Sequence, residues 1–379
     1  MGEKTGPSRR TLMARAGAAV AAPFVTLGAH QVFAASPRTY STRAIDLVRR
    51  TTVIDMLAPL FLEFDLPDFS KPISDTARAR FKASGVTGFH NSTGIGGPTA
   101  HEDVTAYIGG WSNWCGRNSD LFSVVGRVDD LDRAKREGKI AVIMGVQDSD
   151  HFREIKDVAY FYALGQRCSQ ITYNSQNLLG AGSTERVDAG LSDFGVAIVK
   201  EMNRVGMLVD ASHCGEKTTL DIVEASDKPM AFTHTNCRAL RNHPRTKTDE
   251  AIKKLAAKGG VMGVTGVRMF LSDKDPTTVE NIVDHIDHVV KLTSIDHVGV
   301  GSDSDLIGYD HMSPAANKAL RDSYKASYAF RDKIDTDGFD HPQRIFDLTE
   351  ALIRRGYPDP HIEQVLGGNF RRLLAGTWL

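Results

Sequence analysis

The feature that most narrows what this chain can fold into is an alternation of short β-rich runs with longer segments of helical spacing. The runs fall at 52–55, 85–91, 140–147, 169–173, 207–213, 230–235, 260–266 and 297–303, eight in all. Alternation of this kind argues for a parallel sheet wrapped by helices, and continuous apolar cores such as Ala141-Val142-Ile143-Met144 fit strands buried on both faces. Eight is the strand number of a closed barrel. An open doubly wound sheet uses the same alternation, but no Gly-x-Gly-x-x-Gly turn follows the first run. The expected fold is therefore α/β, a (β/α)8 (TIM) barrel. Ser192-Asp193 opens a helix that ends at Val205-Gly206, and another spans Glu216 to Ala225, so 192–235 reads as helix, strand, helix, strand.

Residues 1–34 read differently. Ser8-Arg9-Arg10-Thr11-Leu12-Met13 leads into a weakly apolar, Ala-rich run at 16–34, the pattern of a twin-arginine export signal, with Ala34 as a cleavage point. The expected organisation is a signal at 1–34 and one barrel at 35–379, delivered to the periplasm or secreted. Removing the signal takes away Lys4, Arg9, Arg10 and Arg15 against Glu3, which moves the formal net charge from −1 to −4. That acidic excess, with no basic stripe in the body, excludes a nucleic-acid partner. With 25% charged residues and no long apolar stretch after the signal, stable membrane insertion is not expected. Four scattered cysteines do not make a disulfide scaffold. Cys214 and Cys237, beside His213 and His234, leave a local bridge or a thiolate ligand open against plain packing.

A parallel barrel exposes its chemistry where the strands end. Ionisable and polar residues stand there repeatedly: Asp55, His90, Gln147-Asp148, Tyr173-Asn174, Asp210, His213, His234, Asp303 and Asp305. His213 and His234 end neighbouring runs, which suits either a shared transition-metal ion, zinc being the natural choice, or a hydrogen-bonded pair. Asp303, after Val298-Gly299-Val300-Gly301-Ser302, can be a ligand, a general base or a helix cap. Arg238, Arg241 and Arg245 follow His234, and one of them could fork onto a substrate carboxylate.

In this order the residues resemble the membrane (renal-type) dipeptidase family of zinc peptidases, amidohydrolase-like barrels. The likeness rests on Val53-Ile54-Asp55, Gly145-Val146-Gln147, Ile171-Thr172-Tyr173-Asn174, Gly190-Leu191-Ser192-Asp193-Phe194-Gly195, Asn203 to His213, Phe232-Thr233-His234-Thr235, Gly299-Val300-Gly301-Ser302-Asp303 and Gly367-Gly368-Asn369-Phe370. The resemblance implies that His213 and His234 are zinc ligands, Arg245 binds the substrate carboxylate and Asp303 handles protons. It also exposes departures. The family's His-x-Asp ligand pair after the first strand is replaced by Leu57 and Pro59, its bridging glutamate by Gln147, and a histidine after the fourth strand by Tyr173. Aliphatic side chains donate nothing to a cation, so one zinc ion per chain is expected rather than two. Asp303, the Gln147 amide oxygen, His90 or water would complete its shell, with Tyr173 as oxyanion donor. Two functions follow: hydrolysis of a dipeptide or small amide by a one-metal site, or a non-hydrolytic relative that binds a ligand, acts in maturation or runs different chemistry in the same pocket. The resemblance also makes a homodimer possible.

Overall fold

The first strand is only two residues long, yet it closes the sheet into a ring. The structure, a computed structural model, describes residues 38–62 and 69–379, so the expected signal at 1–34 lies outside the described residues. Strand β1 (Ile54–Asp55) pairs in parallel with β2 (Gly88–Asn91) on one side and, through Asp55 opposite Val300, with β9 (Val298–Val300) on the other. The ring continues through β8 (Val261–Val264), β7 (Ala231–Thr235), β6 (Leu208–Asp210), β5 (Cys168–Gln170) and β4 (Ile140–Val146), and β4 returns to β2. Each of the eight expected runs supplies a strand of this (β/α)8 barrel. A further strand, β3 (Phe122–Val124), was not expected; it pairs in parallel with the first residues of β4.

Local rules account for the helices between strands. The Ser192 hydroxyl accepts the Gly195 amide at 3.0 Å to open the helix Asp193–Val205, and Gly206 closes it at φ 86°. All seven residues of β4 are buried, as a strand covered on both faces requires. The N-terminal end of the barrel is plugged by Phe370, Leu373, Leu374 and Trp378, from and just after the helix Asn369–Thr377, against the first residues of several strands, among them Ile54, Leu208, Ala231 and Val261. Close packing of β7, β8 and β9 depends on glycine: a Cβ on Gly263 or Gly301 would come within 2.0 Å or 1.9 Å of the Thr233 carbonyl oxygen.

The opposite end is fixed by a buried ion pair. Asp55 and Arg344 are both fully buried, with Nη2 to Oδ2 at 3.2 Å. Asp55 also accepts the Ser302 amide at 2.7 Å, while Arg344 donates to the Ser302 hydroxyl at 2.7 Å and the Ser304 carbonyl at 3.0 Å. One carboxylate and one guanidinium thus join β1, the segment after β9 and the helix Arg344–Arg354. Removing one partner of a buried pair strands the other charge. Arg344→Met is therefore expected to lower unfolding free energy by about 3–5 kcal/mol, read as a fall in the urea midpoint, whereas Arg50→Met on the surface should change it little; equal effects would refute the assignment.

Candidate active site at the C-terminal rim

His213 and His234 meet as the alternation predicts. Their Nε2 atoms stand 2.9 Å apart and both rings are buried. The hydrogen bonds behind them decide the tautomers. His234 Nδ1 lies 2.8 Å from Thr233 Oγ1, whose one proton goes to Asp210 Oδ2 at 2.6 Å, so Thr233 accepts and Nδ1 carries the hydrogen. His213 Nδ1 lies 2.8 Å from the Asn174 side-chain oxygen, which also accepts the Ser183 hydroxyl at 3.1 Å, so this Nδ1 is protonated too. Both neutral rings then turn a lone pair toward the same point, and two facing lone pairs at this distance require a proton or a metal ion between them. Burial, then the Arg245 guanidinium, push both imidazoles well below the usual histidine range, which disfavours the shared proton. Two nitrogens on one tetrahedral ion stand about 3.3 Å apart, a few tenths of an ångström from what is seen. The residues present therefore fit half of a mononuclear shell. No group of three or more His, Cys, Asp or Glu side chains able to hold a metal ion is assembled among the described residues, so as placed Asp303 does not complete a three-ligand set with the histidines.

The remaining candidates surround the pair without forming one cluster. Tyr173 stacks on His213, centroids 4.2 Å apart and planes at 18°, and its hydroxyl meets that of Tyr324 at 2.6 Å. Arg245 is buried over the Phe270 ring and donates to the carbonyls of Ser212 and His234. No carboxylate pairs with it among the described residues, and its Nε has no partner. A desolvated guanidinium without counter-charge favours an anion. Asp303 has φ 61°, a left-handed conformation that Asp tolerates, and its amide donates to Leu57 O at 2.8 Å. Burial pushes its carboxyl up to about 7, with Arg245 opposing and Asp55 and Asp210 adding to the rise. It caps no helix: the turn beyond it is closed by Asp305, which accepts the Ile307 and Gly308 amides, each at 2.9 Å.

Two adjoining cavities open on this rim. The outer one, about 920 Å³, is lined by Asn174, His311, Lys325 and Tyr328; the inner one, about 300 Å³, by Pro59, Gln147, Asp303 and Tyr309. Thr93, Gly94, Tyr173 and Tyr324 border both, and His213, His234 and Arg245 line neither. The histidines thus lie behind the Tyr173 ring.

The structure decides between alternatives that the sequence left open. Cys214 and Cys237 are free and buried, not bridged, and burial raises both thiols, Cys214 to about 11, which favours the protonated, packed form. Arg238 pairs with Glu216 at 3.1 Å and Arg241 donates to Met269 O at 3.0 Å, and of the three arginines Arg245 alone is buried, bonded to the carbonyl of His234. Sequence reasoning missed Lys247, fully buried with Nζ on Cys214 O and Thr219 Oγ1, where burial lowers it to about 8. It also missed Tyr324 and Tyr328; their concentration within 309–328, after the last strand, was the available signal.

A (β/α)8 barrel with imidazoles and carboxylates gathered at the C-terminal rim defines the class of protein. Within that class, the chain belongs to the membrane dipeptidase family (peptidase family M19), whose model matches residues 43–316. It is 30% identical to the dipeptidase verJ of Clonostachys rogersoniana over 68% of this chain and 61% of that protein. It is 32% identical to the dipeptidase tcpJ of Claviceps purpurea over 68% of this chain and 55% of that one. The chain thus spans less than two thirds of the length of these relatives. Among solved structures, an amidohydrolase from Pseudomonas aeruginosa superposes with a TM-score of 0.75 at 31% identity, covering 88% of this chain and 99% of the other.

The tautomer argument is open to direct measurement. Nitrogen NMR of the zinc-loaded protein near neutral pH is expected to find both rings protonated at Nδ1, and an Nε2–H on either ring would remove the facing lone pairs. Thr233→Val, which deletes the acceptor behind His234, should cost about 1–3 kcal/mol of stability.

Proposed function

We propose that this protein is an exported hydrolase of dipeptides or small amides that works with one zinc ion held by His213 and His234. The observation that carries the reading is the pair of facing lone pairs, each ring held in its tautomer by a second hydrogen bond. Family membership supports the hydrolytic class, and the relatives named as dipeptidases support the substrate. Leu57 and Pro59, where the family has ligands, argue against a second ion. Bound between the imidazoles, zinc would supply an acidified water and a Lewis acid for an amide carbonyl. Water would complete that shell, because Gln147, whose Oε1 is buried without a partner, lines the inner cavity, which neither histidine borders.

The chain's own groups divide the remaining work. Arg245, a buried cation lacking a counter-charge, binds the substrate carboxylate. Asp303 takes a proton at its carboxylate and returns it to the leaving amine; with its carboxyl near 7 it exchanges protons readily at neutral pH. Burial raises the Tyr173 phenol, so it keeps its proton and can donate to a developing oxyanion once it leaves Tyr324. The twin-arginine pattern supports delivery to the periplasm.

One observation favours a second reading, a ligand-binding protein without hydrolysis: both imidazoles are covered, one of them by Tyr173. Elemental analysis with a dipeptide panel separates the two. About one zinc per chain and measurable turnover are expected, with His213→Ala lowering both, turnover by about a hundredfold or more. Protein that stays metal-free and inactive in added zinc would end the hydrolytic reading; two ions per chain would end the one-ion assignment.

The pH profile gives a further outcome. Asp303 acts as a base only when ionised, so kcat/KM should rise with pH through about 7, the value to which burial raises it. Asp303→Asn should abolish that limb, and an unchanged limb in the variant would assign it to another group.

A further inference from the structure

The inner cavity is built for more than access. Its wall is aromatic: Phe61 stacks parallel to Trp111 with centroids 6.3 Å apart and planes at 10°, Tyr107 lies beside them, and Tyr309 and Tyr324 close the other side. Its polar lining includes three nearly fully buried side chains, Asn91, Ser92 and Gln147, each with an atom that has no partner. Their orientations are fixed from behind. Asn91 Oδ1 accepts the Leu60 amide at 2.9 Å, so the unpartnered atom is the donor Nδ2. Gln147 Nε2 donates to Ser92 O at 3.1 Å, so the unpartnered atom is the acceptor Oε1. The Ser92 hydroxyl serves either way. Buried polar atoms left unpaired are destabilising, so this set calls for a complementary group in the cavity, supplied by ordered water or by a ligand that displaces it.

The complement of a fixed N–H and a fixed carbonyl oxygen is an amide, which offers a carbonyl to the first and an N–H to the second. Charge points the same way: Asp103 and Asp303 border the cavity and, among the described residues, no lysine or arginine does, so an anion finds no counter-charge there. Pro59 and Gln147, two of the positions where this chain departs from the family's ligand set, both line it. We propose that this chamber is a subsite for an uncharged amide bearing an aromatic or bulky apolar group, with Asn91 and Gln147 reading the amide and the Phe61–Trp111 wall the ring. As a statement about substrate the proposal rests on the hydrolytic reading; as a statement about binding it does not.

The test is therefore a binding measurement on the full chain, by calorimetry and tryptophan fluorescence. N-acetyl-L-phenylalaninamide is expected to bind at least tenfold more tightly than N-acetylglycinamide, which lacks the ring, and than N-acetyl-L-phenylalanine, which carries a carboxylate. Ala106→Phe fills the chamber from an exposed helical position and should abolish the binding with the melting temperature unchanged. Gln147→Met removes the acceptor at similar volume and should weaken it about tenfold, so the proposal remains exposed even if Ala106→Phe misfolds. Equal affinity for the three probes, or undiminished binding in both variants, would overturn it. If dipeptides are hydrolysed normally while the amide does not bind, the chamber assignment fails and the hydrolytic reading survives; amide binding blocked by Ala106→Phe without any turnover gives the reverse.

Discussion

The chemistry of this rim depends on what surrounds Asp210. Its Oδ1 accepts the amide and hydroxyl of Ser212 and the amide of Thr233, and its Oδ2 accepts the Thr233 hydroxyl, all between 2.6 Å and 3.0 Å. Those contacts fasten the end of β6 to β7. They also force Thr233 to act as acceptor toward His234, which turns the ring's lone pair outward. A single buried carboxylate thus joins two strands and sets a tautomer, so the fold and the direction of the His234 lone pair are decided by the same hydrogen bonds. Asn174 does for His213 what Thr233 does for His234, from a left-handed residue at φ 60°.

The barrel was legible because strands buried on both faces leave continuous apolar runs, and helix caps such as Ser192 and Gly206 mark the segments between them. The short β3 escaped because Phe122-Ser123-Val124 is too brief to carry a period. The strand-end histidines were legible from position alone, and the loss of donors at Leu57 and Pro59 only through the resemblance to the family. The Asp55–Arg344 pair was not, since 289 residues separate the partners and nothing in either neighbourhood signals the other. Tyr324 and Tyr328 come from a long segment after β9 whose path no periodicity predicts, and they decide which rim residues meet a cavity. Cys214 and Cys237 were left open between packing and a bridge or ligand; Cys214 directly follows His213, and neighbouring side chains at a strand end point apart.

Charge offers a reason why the departures from the family occur together. Against the family's pattern this chain has lost an aspartate at Pro59 and a glutamate at Gln147, two negative charges, and on the one-ion reading it has also lost one dication. The exchange is neutral. Losing the carboxylates while keeping two ions would leave excess positive charge in a buried site that already contains Arg245 and Lys247, neither paired with a carboxylate among the described residues. Losing the ion while keeping both carboxylates would bury two unpaired anions, which is comparably unfavourable. Only the combined change leaves the desolvated rim near its former balance, and the position formerly charged becomes neutral surface. A neutral surface with fixed donors and acceptors can recognise an amide where the charged one would have held a cation, so the same substitutions that argue for a single ion also furnish the chamber beside it.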